Sequence, residues 1–275
     1  MSELIIVDDD AGIRTLTLNR PDKLNAMSTG LVEALSAQLA AAAVDESVRV
    51  VVIAGAGRSF CAGYDLGEEP ADDAGVAEGL RKSLSRLIEV FDQPQPVLAE
   101  VHGHCLAGGC DLMMMCDLAV ASEDAVFGQP EIKFGSAVVA HVMPWLIGAR
   151  RAKELLLTGF DRLDAFTAKA YGLVNRVVPR ADLHEETMSL ARQLAVVDPG
   201  VMRLTKRAIN VGWERAGFRE ALAEALEIGI SIETAPAPER MEFERIASEQ
   251  GLGEALRWRE GRFSPDPGGS PSESG

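Results

Sequence analysis

The segment Pro96 to Glu131, PVLAEVHGHCLAGGCDLMMMCDLAVASEDAVFGQPE, decides how this chain is read. Val97 to Val101 is an apolar run of strand type, His102 to His104 makes a turn, and Gly108 and Gly109 open an apolar helical run carrying Asp111 in its first turn. A strand, a tight turn and a helix start leave backbone N–H groups without intrahelical partners. Where glycine keeps side chains away, such groups can hold an anion or an oxyanion that develops during a reaction. Asp111 lies beside that hole. A second carboxylate, Glu131, follows in FGQPE, across one short strand from Asp117 to Ala121. Two carboxylates next to an oxyanion hole suggest proton transfer beside a carbonyl.

Upstream, Leu4 to Val7 and Ile13 to Asn19 alternate as strands around a turn at Asp8 to Gly12, an opening hairpin. The loop NRPDKLNAMS leads to an Ala-rich helical run, Leu31 to Val44, and Val48 to Ala54 is a continuous apolar strand ending in GAG. Arg58 to Asp65, RSFCAGYD, is a loop at that strand's carboxyl end, where open α/β sheets hold their ligands. The acidic stretch EEPADDAG is expected to be mobile, and a helix from Val76 to Phe91 follows, stopped before Pro94 and Pro96.

Downstream of Glu131, helices are expected at Val138 to Ile147, Arg151 to Thr158 and Ala165 to Tyr171, then a last strand from Leu173 to Val178. From Asp182 onward only helical segments follow: Leu183 to Val196, Val201 to Val211, Phe218 to Ile232, Pro238 to Ser248 and Leu252 to Arg259. Apolar stripes there, Leu222, Leu226 and Ile230 or Phe243 and Ile246, are expected to exceed what the chain covers by itself and to mark an interface. Pro265 to Gly275, PDPGGSPSESG, is a polar low-complexity tail expected to be disordered.

With 275 residues, 47% hydrophobic and 25% charged, the chain has the composition of a globular protein of two unequal parts. No apolar run approaches the roughly 20 residues of a membrane span, and the N-terminus carries no secretory or transit signal, so a soluble, cytoplasmic protein is expected. Cys61, Cys105, Cys110 and Cys116 have neither CxxC pairing nor a histidine cluster suited to zinc, and read as reduced thiols. A net charge of −15 argues against a nucleic-acid surface and leaves any anionic ligand to a local basic patch.

Five motifs in order, NRPDKLNAM, RSFCAGYDL, HGHCLAGGCDLMMMCD, FGQPEIKFG and LTGFDRLDAFTAKAYGLVNRVVP, resemble the crotonase superfamily, the enoyl-CoA hydratase/isomerase proteins, over Ile5 to Arg180. The resemblance implies an α/β fold: a spiral of ββα units, with catalysis and acyl-CoA binding in residues 1–198, a helical trimerisation domain in 199–263, and the tail at 264–275. It implies acyl-CoA thioester ligands, trimers that often pair into hexamers, and no metal or redox cofactor, coenzyme A being part of the substrate. By position, the oxyanion-hole N–H groups fall on Ala62 and Gly108, and the catalytic acids on Asp111 and Glu131. Ala62, Gly63, Tyr64, Asp65 and Gly108 line the thioester path, and Lys23 is the cation placed there for coenzyme A.

Two departures from the resemblance matter. The acid at position 111 is Asp where hydratases usually have Glu, and SAVVAHVMPW, Ser136 to Trp145, replaces a glycine-rich loop, so the acyl pocket is remodelled. An Asp with the later Glu also resembles dienoyl-CoA isomerases, whose further aspartate would fall at Val139. The leading expectation is a lyase adding water to a 2-trans-enoyl-CoA, in fatty-acid or related metabolism, with Glu131 taking the proton from water and Asp111 holding that water. Enoyl-CoA isomerisation, or acyl-CoA binding with little catalysis, are the alternatives. His102, His104 and His141 read as turn or packing residues, Met113 to Met115 as core, and Arg58, Arg259 and Arg262 as solvated charges.

Overall fold

The computed structural model describes residues 3–68 and 72–263. The tail expected to be disordered lies outside the described residues, as does the middle of the acidic stretch. β1 (Ile5–Asp10) and β2 (Ile13–Leu18) pair antiparallel, Ile5 opposite Leu18, through Ala11 and Gly12, both with positive φ. α1 (Thr29–Val44) is capped by the Ser28 hydroxyl, which accepts from Leu31 N at 3.2 Å, and turns Leu31, Leu35 and Leu39 into the core. β3 (Val50–Gly55) is buried on both faces, as its unbroken apolar run requires.

α2 (Asp73–Asp92), β4 (Val97–Val101), α3 (Gly108–Met115), β6 (Leu118–Ser122) and β9 (Arg176–Val178) complete the main unit. Its six-stranded sheet runs β1-β2-β3-β4-β6-β9, parallel from β2 onward. One face carries α1, α2 and the wholly buried α3. The other is covered by α7 (Leu183–Ala195), whose Leu183, Met188, Leu190 and Ala191 cluster with Ile13, Val50, Val52, Leu98 and Val120.

A second sheet, β5 (His104–Leu106), β7 (Val126–Gly128) and β8 (Leu163–Asp164), was not legible as strands. Segments of two or three residues are too short for alternation to register. The helix expected over 138–147 exists only as α4 (Met143–Ile147). β-branched Val138, Val139 and Val142 disfavour helix, and the Ala140 N–H is drawn to the Asp111 side chain instead of a helical carbonyl. α5 (Ala149–Thr158) and α6 (Ala165–Tyr171) follow as expected.

α8 (Pro199–Arg215), α9 (Phe218–Thr234), α10 (Pro238–Gln250) and α11 (Leu252–Phe263) form the C-terminal helices. Lys206 of α8 is buried and donates to Asp117 Oδ2 at 2.6 Å and to the Gln95 carbonyl at 3.2 Å, while the same carboxylate oxygen accepts from Val97 N at 2.7 Å. One ion pair thus ties α8 to the start of β4. The expectation that Leu222, Leu226, Ile230, Phe243 and Ile246 are left uncovered is corrected: all five are at most 8% exposed within the single chain. α9 packs against α2, and Phe243 and Ile246 cluster with Ala255. Among the described residues no helix is long and apolar enough to cross a membrane.

Candidate active site

The site forms where α3 begins. Ala107 adopts φ 50° and ψ −130°, a conformation a non-glycine residue rarely holds, and its carbonyl accepts from Cys110 N at 2.8 Å and Asp111 N at 3.0 Å. Its own N–H donates to the Gly128 carbonyl at 2.9 Å, fastening the turn to the second sheet. Gly109 is required by close approach: a Cβ there would stand 2.4 Å from the Cys61 carbonyl oxygen. The two glycine loops of the sequence are therefore in contact.

Asn25 organises the loop after β3. Fully buried and with φ 56°, it donates through Nδ2 to the carbonyls of Ala56, Ser59 and Phe60 at 2.9, 2.8 and 3.1 Å and accepts from Arg20 N through Oδ1. Sequence reasoning passed over it. The signal was present in NRPDKLNAM, where an asparagine tolerates a left-handed backbone and its amide can serve several carbonyls at once.

The Ala62 N–H expected in the oxyanion hole is occupied: it donates to the Leu24 carbonyl at 3.0 Å. Gly63 O accepts from Met27 N at 2.8 Å and Asp65 N donates to Met27 O at 3.1 Å, so Tyr64 lies in an extended bridge with its own N–H turned the other way. The N–H groups of Tyr64 and Gly108 have no partner among the described residues. They are neighbours, since a Cβ on Gly63 would lie 3.5 Å from Gly108 N. The free donors are therefore Tyr64 and Gly108 and not Ala62 and Gly108, by alternation along an extended chain.

Asp111 is completely buried, its Oδ1 accepting from Gln129 Nε2 at 2.7 Å and Oδ2 from Ala140 N at 3.3 Å. Burial raises its pKa to about 7 against the two hydrogen bonds. Glu131 opens a 3-10 turn, Glu131–Phe134. Its pKa is raised well above the ordinary carboxylate value, first by burial and then by the charge of Asp111. Among the described residues the buried acceptors Glu131 Oε2 and Gln129 Oε1 have no donor, and His141 Nδ1 is likewise without a partner.

Asp65 does not face this space: it pairs with Arg20 at 2.7 Å and accepts from Gly67 N at 3.1 Å, the Arg20 hydrogen bond holding its pKa low. Lys23 is exposed on the neighbouring 3-10 turn, Pro21–Lys23. Arg259, expected to be solvated, is only 8% exposed and covers the Phe134 ring at 4.1 Å. Burial raises Cys61 to about 12, which leaves it a thiol. Among the described residues no group of three or more His, Cys, Asp or Glu could hold a metal ion.

The two free N–H donors stand near the buried Asp111 and the half-buried Glu131, an arrangement able to bind an oxyanion and to move protons next to it. A sequence profile of the enoyl-CoA hydratase/isomerase family matches residues 8–240, and the chain belongs to that family. A protein of Rhizobium meliloti named probable enoyl-CoA hydratase is 37% identical over 217 residues, 76% of this chain and 81% of that one. The mevalonyl-coenzyme A hydratase sidH of Aspergillus fumigatus is 34% identical over 213 residues, 76% of this chain and 78% of that one. The crystal structure of an enoyl-CoA hydratase/isomerase from Xanthobacter autotrophicus Py2 superposes with a TM-score of 0.94 at 38% identity, covering 96% of this chain and 100% of the other.

Proposed function

We propose that this chain is an enoyl-CoA hydratase that adds water across the double bond of a 2-trans-enoyl-CoA thioester. The observation that carries the reading is the buried Asp111 and the half-buried Glu131, whose Oε2 is enclosed, beside the unpartnered N–H groups of Tyr64 and Gly108. The thioester oxygen lies between those two donors, which stabilise the enolate that forms when oxygen adds to C3. Asp111, favoured as the anion by Gln129 Nε2 and Ala140 N, takes the proton from the water. Glu131 has no donor on Oε2 and is the better holder of a shared proton. It delivers that proton to C2, which exchanges the roles expected from the sequence. Glu131 Oε2 and Gln129 Oε1 are acceptors for the O–H groups that water and product bring.

Lys23, exposed at the loop's mouth, is the cation for a coenzyme A phosphate. No metal or further cofactor enters these steps. A three-fold assembly through the helices of residues 199–263 is supported by the outward apolar side chains of α8, Val201, Leu204 and Ile209, and by the family; light scattering at the monomer mass would exclude it. Four thiols without disulfides and no spanning helix among the described residues accord with the cytoplasm. The deciding experiment is loss of the enoyl-thioester absorbance of crotonyl-CoA with purified protein: hydration to 3-hydroxybutyryl-CoA is expected, and binding without turnover would refute the reading.

A further inference from the structure

The residue whose main chain supplies one donor of the hole also carries a large side chain, so the place of that ring relative to the thioester is set by the backbone. The Tyr64 ring lies over Gly108: a Cβ there would stand 2.4 Å from Cε2 and 2.7 Å from Cδ2 of the tyrosine. Ser83 of α2 faces its hydroxyl, and Asp111 and Glu131 are close enough for their charges to act on it. Behind the ring, between α1, α2 and α3, is a cavity of about 20 Å³, lined mainly by Met27, Val32, Leu35, Leu39, Leu87 and Leu112. Such a space holds about one water and no alkyl chain. Ser36, Ser83 and Arg86 also border it, and the rest of its lining is apolar or aromatic. Across Asp111, the site is closed by Val139, Ala140 and Val142, each at most 5% exposed.

We propose that the Tyr64 side chain is the end wall of the acyl site, restricting this protein to short acyl thioesters, and that the apolar space behind it is the extension a longer chain would occupy. The inference rests on the hydratase reading for the position of the thioester. The carbons beyond C3 leave the space between Asp111 and Glu131 and meet the tyrosine ring before they can reach Leu35, Leu39 or Leu87. Tyr64→Ala removes the ring while keeping the main-chain N–H, and Tyr64→Phe keeps the bulk while removing the hydroxyl that faces Ser83.

The readout is a ratio, kcat/KM on crotonyl-CoA over kcat/KM on 2-octenoyl-CoA, together with the same ratio of dissociation constants for butyryl-CoA and octanoyl-CoA by calorimetry. One methylene in an apolar pocket is worth roughly 10-fold or more, so the wild type is expected to favour the short substrate by at least ~10-fold. Tyr64→Ala is expected to collapse or invert that preference, and Tyr64→Phe to retain it. A wild type indifferent to chain length, or a folded Tyr64→Ala with the ratio unmoved, would overturn the proposal. So would a Tyr64→Phe that behaves like Tyr64→Ala, because the hydroxyl and not the ring would then set the length. The binding ratios keep this test separate from the hydratase reading: saturated thioesters report on the wall even if no enoyl-CoA is turned over.

Discussion

Asp111→Asn should make the protein more stable and nearly inactive, and the size of the gain follows from burial. Asp111 is fully buried with a pKa of about 7, against an ordinary value of 3.8. Each pH unit between the folded and unfolded values is worth about 1.36 kcal/mol, so holding this carboxylate ionised in the folded protein costs roughly 4 kcal/mol in neutral to mildly basic solution. A pKa raised on folding means that the native state binds the proton more tightly. The corresponding stability is complete below pH 3.8 and is lost as pH rises through about 7. Asparagine removes the charge but presents one N–H₂ where the carboxylate had an acceptor. One of the donors Gln129 Nε2 and Ala140 N is then left unsatisfied, at about 1–3 kcal/mol. The net gain expected at pH 8 is therefore about 1–3 kcal/mol, several degrees in thermal midpoint, and it should vanish or reverse near pH 4. Hydration should fall by ~100-fold or more, as for loss of a general base. The assays are thermal unfolding of both proteins at the two pH values and crotonyl-CoA turnover. A variant destabilised equally at both pH values would refute the argument that burial of this charge is what the site stores.

Glu131→Gln should retain the fold and lose ~100-fold or more in kcat, since the amide cannot deliver a proton to C2; steady-state rates near wild type would remove Glu131 from the mechanism. The kcat/KM of the wild type for crotonyl-CoA should fall as pH drops through about 7, because Asp111 must be ionised to accept the proton; a profile flat from pH 8 to pH 5 would contradict this. Gly109→Ala places a Cβ 2.4 Å from the Cys61 carbonyl and is expected to lower stability by about 1–3 kcal/mol and to part the two loops, measured by denaturant unfolding together with activity. Lys206→Met strands Asp117 with a single donor, Val97 N, and should destabilise the protein by roughly 3 kcal/mol in urea without acting on the thioester site.

Much of this protein was legible in one dimension. The opening hairpin, β3, β4, α3 and the C-terminal helices follow from apolar periodicity and from glycine and proline punctuation, because these elements are long enough for a repeat of two or of 3.6 residues to show. Asp111 and Glu131 stand out in the sequence as candidate acids, one beside the glycine pair that opens α3 and the other in FGQPE. What escaped was decided by contacts between residues far apart in the chain. β5, β7 and β8 are short segments made strands by their partners. The stripes of α9 and α10 look unpartnered along the chain, and it is α2 and α11 folding against them that buries them. The free N–H is that of Tyr64 rather than Ala62 because Leu24 takes the Ala62 N–H and Met27 pairs with the residues on either side of Tyr64, and such an alternation shows only once the two loops are laid together. The direction of proton traffic likewise depends on which carboxylate receives donors. Gln129 and Ala140 both reach Asp111 and neither bonds Glu131, a difference set by tertiary packing.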